Sequence, residues 1–195
     1  KAVHAGEIFV YPTDTIYGFG GNALSEKAIH TVYELKKRPA YMPVSLLVRD
    51  TEMMEEYAFI SEMTGSIINH FLPGALTMVL PARKKDLSPY LYSDDKYLGF
   101  RIHDHDFCRS MMVQVKCPVI TTSVNISGSP EMHTIGDIEQ YFGQELDLFI
   151  YDPILENRKI SSGSTVIKIS ACNEISLLRE GPIPFKDIIK VKSRN

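Results

Sequence analysis

The sequence has few cysteines, no long apolar run and no strong excess of either charge, and each shortage removes a class of protein. Cys108, Cys117 and Cys172 are its three cysteines. An odd number without C-x-x-C spacing argues against a disulfide scaffold or zinc ribbon and fits a reducing cytoplasm. No stretch approaches the roughly 18 apolar residues of a membrane span, and no secretory signal is visible. The sequon Asn125-Ile126-Ser127 therefore carries no weight. Net charge is −3 and the pI about 6.1. No global positive field advertises nucleic acid, although a local basic cleft stays open. The absence of G-x-x-x-x-G-K-[ST] excludes a P-loop, and the absence of G-x-S-x-G, with no paired base for Ser123, makes triad hydrolysis a poor reading. Internal repeats and low-complexity linkers are also absent. Length, 195 residues, and composition, 44% hydrophobic and 23% charged, are those of one soluble globular domain, expected over 1–195. The chain starts at Lys1 and not at methionine, which leaves preceding residues an open question.

What is present begins with Glu7 to Gly21, EIFVYPTDTIYGFGG. A short apolar strand runs into Pro12-Thr13-Asp14-Thr15 and then a glycine cluster, a concentration of small polar groups that reads as the floor of a binding site. Beyond it strand and helix signals alternate. Strands are predicted at Ile8 to Tyr11, Val44 to Val48, Leu76 to Leu80, Leu98 to Ile102, Pro118 to Thr121, Leu146 to Tyr151, Thr165 to Ile169 and Ile175 to Leu178. Ser25 is the expected N-cap of a helix to Lys37, and Asp104 that of a helix to about Val115. Met53 to Phe71 reads as one or two helices with Gly65 as the break, and Ile135 to Phe142 as another. The pattern predicts an α/β fold, a twisted mixed sheet flanked by helices.

Several motifs admit two readings. Gly18-Phe19-Gly20-Gly21-Asn22-Ala23 matches G-x-G-x-x-A, yet Pro12 to Tyr17 separate it from its strand, which disfavours a dinucleotide loop. His103-Asp104-His105 invites a metal reading, but the other histidines show no matched spacing, and a turn with incidental histidines is preferred. Lys36-Lys37-Arg38-Pro39 is either an exposed basic cap on a helix C-terminus or an anion clamp in which Lys36 and Arg38 turn into one cleft. Arg101, Arg179, the elbow Ser123-Val124-Asn125 and Gly163-Ser164-Thr165 are each unremarkable singly. Together they sit at strand or helix ends of one α/β sheet, where ligand crevices gather.

In order and spacing, PTDTIYGFG, KKRP, PGALT, GFRIHDH, TTSVNISG, GSTV and LLREG resemble the YrdC/TsaC family, from Glu7 to about Pro182. The resemblance implies a YrdC-like fold with a concave basic cavity. It also implies synthesis of L-threonylcarbamoyladenylate and pyrophosphate from L-threonine, bicarbonate and ATP, for threonylcarbamoyladenosine modification of tRNA by a downstream transferase. Carried over residue by residue, it gives Lys36, Arg38, Ser123, Asn125 and Arg179 to ATP, with Lys36 and Arg38 as electrostatic catalysts. Thr15, Arg101, Thr121 and Ser164 go to threonine. Mg2+ is expected with ATP, with no protein metal site and no tightly bound organic cofactor. Contact with tRNA and a cytoplasmic, membrane-free location belong to the same expectation. Four positions depart from the family pattern: Leu47, Met42, His103 in place of the usual proline, and Glu180. The extra C-terminal domain of longer members is expected to be missing. Two other readings stand beside this one. One is a non-catalytic RNA-binding module of the same fold; the other is a carbamoyl-phosphate-using maturation domain, whose acylphosphatase and zinc-finger neighbours are not in the sequence.

Overall fold

The structure, a computed structural model, describes residues 1–83, 87–158 and 162–192. Eight strands form one sheet: β1 (Phe9–Tyr11), β2 (Gly18–Gly20), β3 (Ser45–Leu47), β4 (Leu76–Pro81), β5 (Tyr97–Arg101), β6 (Val119–Ser123), β7 (Thr165–Ile169) and β8 (Ile175–Arg179). Their order is β1-β2-β6-β3-β5-β4-β7-β8. The β3–β5 and β4–β7 pairs are parallel and the other neighbours antiparallel, so the sheet is mixed, as the alternating pattern implied. The helices are α1 (Ala2–Ala5), α2 (Glu26–Leu35), α3 (Thr51–Tyr57), α4 (Glu62–Phe71), α5 (Asp106–Gln114), α6 (Ile135–Phe142), α7 (Pro153–Glu156) and α8 (Phe185–Lys192). None is long and apolar enough to cross a membrane.

Local chemistry explains most boundaries. Ser25 caps α2 by accepting the Ala28 N–H, and Ala28, Ile29, Val32 and Tyr33 bury one face of that helix. Lys37 then takes a left-handed conformation, φ 48°, which ends the helix and turns Arg38 back so that its N–H reaches Tyr33 O at 2.9 Å. Met53 to Phe71 divides at Ala58 to Ser61 and not at Gly65, which lies inside α4. Asp50 and Ser61 each cap a helix through their side chains, and these caps outweigh the lone glycine. The helix expected from Asp104 begins one residue later, because His105 is the cap: its Nδ1 accepts from the Phe107 N–H.

Two corrections concern the sheet edge. Leu146 to Tyr151 forms no strand; Val10 gives its N–H to Leu148 and takes that of Ile150, leaving one isolated bridge. A three-residue β1 that already pairs with β2 offers only that one position on its outer edge. The glycine run, by contrast, is a strand, β2, between β1 and β6. A Cβ at Gly20 would lie 2.5 Å from the Phe9 ring, and one at Gly21 2.5 Å from Ile8 Cδ1, so these glycines admit core side chains and not a ligand. The dinucleotide likeness ends there.

Candidate functional site

A cavity of about 640 Å³ opens where the β1–β2 turn, the ends of β5, β6 and β8, the start of β7 and the segment after α2 converge. Seven of the residues singled out in the sequence line it: Thr15, Arg38, Arg101, Thr121, Ser123, Ser164 and Arg179. The other two, Lys36 and Asn125, lie behind its wall.

One group of residues surrounds Asp14. Thr13 Oγ1 donates to Ile16 O at 2.7 Å and accepts the N–H groups of Thr15 and Ile16, a hydroxyl turn that fixes the strand exit. This places Asp14 against Arg101, whose Nη2 donates to Asp14 Oδ1 at 2.8 Å while Nη1 donates to Thr15 Oγ1 at 3.1 Å. Burial opposes ionisation of Asp14, but the His103 hydrogen bond and the Arg101 charge prevail and hold its carboxyl at about 2. Burial also lowers Arg101, and its Nε is buried with no hydrogen-bond partner. A buried ion pair carries a desolvation cost that its attraction barely repays, so its contribution is position: the guanidinium is held at the cavity wall.

A second group surrounds the elbow after β6. Lys36 is 1% exposed, which removes the exposed-cap reading for this residue. Its Nζ donates to Ser123 O at 2.6 Å, Asn125 Oδ1 at 2.9 Å and Asn125 O at 3.0 Å. Burial, and then the Arg38 charge, lower it to about 7. Below that value the ammonium has an N–H for each of the three oxygens. Ser123 Oγ donates to Asn125 Oδ1 at 2.7 Å, and Asn125 Nδ2 to Ser129 O at 2.8 Å, closing the elbow on itself. Arg38 fixes its guanidinium through Met42 O (2.7 Å) and Pro43 O (3.0 Å). Arg179 uses Ser164 O, at 3.1 Å from Nε and 2.9 Å from Nη2, with Glu131 3.7 Å away. The Ser164 hydroxyl pairs with Thr77 Oγ1 at 2.7 Å.

The sequence reading missed three members. Asp14 stood inside the motif but had no partner assigned. Tyr11 donates to Thr121 Oγ1 at 2.8 Å. His103 is 1% exposed and bonds Asp14 and Thr121, while His105 bonds Asp152, so neither histidine is incidental. Strand alternation was the available signal: two positions beyond Arg101, His103 falls on the same side. Of the other departures, Leu47 is buried in β3, Met42 lines the cavity, and Glu180 accepts the Phe185 N–H at the start of α8. Among the described residues no group of three or more His, Cys, Asp or Glu could hold a metal ion.

Residues 1–181 match the model of the Sua5/YciO/YrdC family, described as "Telomere recombination". The chain is 37% identical over 190 residues to a Methanocaldococcus jannaschii protein provisionally named threonylcarbamoyl-AMP synthase, covering 97% of this chain and 87% of that one. It is 30% identical over 191 residues to the Pyrococcus abyssi threonylcarbamoyl-AMP synthase, but spans only 54% of its length. The crystal structure of P. abyssi Sua5 complexed with L-threonine superposes with a TM-score of 0.87 at 29% identity, over 97% of this chain and 54% of that one.

Proposed function

The chain belongs to the Sua5/YciO/YrdC family, and from that premise we propose that it is a synthase joining L-threonine, bicarbonate and ATP into L-threonylcarbamoyladenylate with release of pyrophosphate. The observation that carries the reading is one cavity in which buried threonine hydroxyls around Arg101 adjoin the fixed guanidinium groups of Arg38 and Arg179. The relatives named as this synthase, and the Sua5 crystallised with L-threonine, support it.

The chemistry asks for that combination. The amine of threonine attacks the carbon of bicarbonate, a C–O bond breaks, and a carbamate forms as that oxygen leaves as water with the amine proton. A carbamate oxygen then attacks the α-phosphorus of ATP, and pyrophosphate leaves with the electron pair of the broken P–O bond. Two anions meet only where fixed cations offset their repulsion, which is the role assigned to Arg38 and Arg179 at the phosphates, while Arg101, paired with Asp14, would hold the amino acid's carboxylate by hydrogen bonding. No enzyme nucleophile is needed, and positioning contributes the remainder. Thr15, Thr121 and Ser164 would receive the amino acid, and Ser123 would turn its proton from Asn125 Oδ1 to a phosphate oxygen. Lys36 and Asn125 would act by holding the elbow that presents Ser123.

Mg2+ would arrive with ATP; among the described residues the two carboxylates lining the cavity are already engaged, Asp95 with Lys168 and Glu131 beside Arg179. The adenylate would be passed to a separate transferase acting on tRNA.

The test is pyrophosphate release with ATP, Mg2+, threonine and bicarbonate, omitting each in turn. Release that ignores threonine or bicarbonate refutes the proposal. Strongly salt-dependent tRNA binding without turnover would instead select the RNA-binding module.

A further inference from the structure

The two ring nitrogens of His103 face groups with opposite needs. Nδ1 lies 2.7 Å from Asp14 Oδ1, and Nε2 lies 3.1 Å from Thr121 Oγ1. Asp14 is paired with Arg101 and ionised, and an ionised carboxylate only accepts. Nδ1 therefore carries the imidazole proton. In a neutral ring Nε2 is then bare, so the Thr121 hydroxyl donates to it. Tyr11, fully buried, donates in turn to Thr121 Oγ1 at 2.8 Å. A hydroxyl has one proton and two lone pairs. Here the proton goes to His103 and one lone pair to Tyr11, so a ligand in the cavity meets only the second lone pair.

We propose that His103 is a positioning residue that fixes Thr121 as an acceptor-only hydroxyl, so that this point of the cavity takes a hydrogen-bond donor of the bound amino acid and turns away its carboxylate. Naming that amino acid threonine rests on the synthase reading; the direction of the protons does not. Threonine carries two donors, its amine and its side-chain hydroxyl, while its carboxylate is left to Arg101. An imidazolium would reverse the arrangement, since Nε2 would donate and the Thr121 proton would swing into the cavity. The ring is faced by Asp14, Arg101, His105 and Tyr11. Burial and the Arg101 charge outweigh Asp14 and lower His103 to about 4, which keeps the reversal away from neutral pH.

Two measurements test this. In the wild-type protein, nitrogen NMR of labelled histidine should show His103 protonated at Nδ1, bare at Nε2, and without titration through the neutral range. A proton on Nε2 overturns the proposal, and the spectrum requires neither a variant nor activity. The second measurement is calorimetric binding of threonine and of valine. His103→Asn keeps a donor toward Asp14 but removes the acceptor from Thr121, and should weaken threonine binding about ten-fold or more with ATP affinity unchanged. His103→Gln, which offers an amide oxygen near the Nε2 position, should recover much of that loss. A loss confined to threonine assigns Thr121 to the hydroxyl, and an equal loss for valine assigns it to the amine. Unaltered binding of both amino acids by His103→Asn overturns the proposal. Wild-type pyrophosphate release that ignores threonine would sink the synthase reading instead, and the NMR result would still decide the proton arrangement.

Discussion

Lys36→Met probes how the elbow after β6 is held, and its outcome separates a buried strut from a surface cap. The Lys36 ammonium gives its three N–H groups to Ser123 O, Asn125 Oδ1 and Asn125 O. Methionine fills similar space without donors, and each orphaned buried oxygen costs about 1–3 kcal/mol. Against this, the folded protein lowers Lys36 from 10.5 to about 7, a charge-burial penalty of roughly 5 kcal/mol at about 1.4 kcal/mol per unit. The two terms are of one size, so stability at a single pH decides little; its slope decides. Between about 7 and 10.5 the unfolded chain keeps a proton that the folded chain has released. Stability therefore gains about 1.4 kcal/mol per pH unit from this group as pH rises. The penalty is complete below about 7 and gone by 10.5. Burial raises Cys108 and Tyr11 and tilts the curve the other way, but equally in both proteins. The assay is urea unfolding of wild type and variant at stepped pH from neutral upward, read as the difference in unfolding free energy. The difference should rise steadily with pH. A flat difference would mean that Lys36 titrates like an exposed lysine, and it would refute the charge-burial penalty.

Other expectations follow from single contacts. Asp14→Asn should flatten acid unfolding: the depressed carboxyl contributes stability above 3.8 that is lost as pH falls toward about 2, worth about 2 kcal/mol, and an unchanged acid limb would contradict the pairing with Arg101 and His103. Gly181→Ala should lower the melting temperature by an amount equivalent to about 1–3 kcal/mol, because its Cβ would sit 2.5 Å from Gly163 O and from Thr165 N, backbone atoms that cannot swing aside; a wild-type melt would refute this. Glu131→Gln should lower the KM for ATP several-fold by removing a negative charge 3.7 Å from Arg179, whereas a raised KM would show that the carboxylate serves a cation brought by the nucleotide.

Legibility from sequence followed the range of the forces involved. Helix starts were readable because caps are local: Ser25 was found, and the α5 cap was missed by one residue only because a histidine ring took the role usually given to aspartate. Most strand runs were readable from apolar density. β2 was not, since Gly18–Gly20 has poor strand propensity and is recruited by what flanks it, the Phe9 and Tyr11 rings on one side and Thr122 and Ser123 on the other. The same limit applies to the site. Arg38, Arg101 and Arg179 were visible as cations at element ends, but nothing local says that Lys36 turns inward or that His103 bridges Asp14 to Thr121. Those bonds join residues 87 to 89 positions apart for Lys36 and Asp14 and depend on the sheet order. Motif order pointed to the family; the direction of each hydrogen bond required the fold.

The allocation of charge explains how a chain of net charge −3 presents cations in its cavity. Among the described residues, Arg38, Arg101, Lys168 and Arg179 line the cavity against the carboxylates Asp95 and Glu131. Their partners differ in kind. Lys168 contacts Asp95, and Arg101 is paired with Asp14, so both are largely neutralised. Arg38 and Arg179 are anchored instead through backbone carbonyls, those of Met42 and Pro43 for the first and Ser164 for the second. A carbonyl dipole fixes a guanidinium in place without cancelling its charge, whereas a carboxylate does both. The cations anchored through carbonyls are therefore Arg38 and Arg179, the latter tempered by Glu131, whereas Arg101 is paired with Asp14 and hydroxyls surround it. A polyanion is drawn to the first region and a zwitterion, neutral overall, fits the second. This division of labour is what the proposed reaction between a nucleotide triphosphate and an amino acid would require, and it arises from the choice of anchoring partner more than from the number of basic residues.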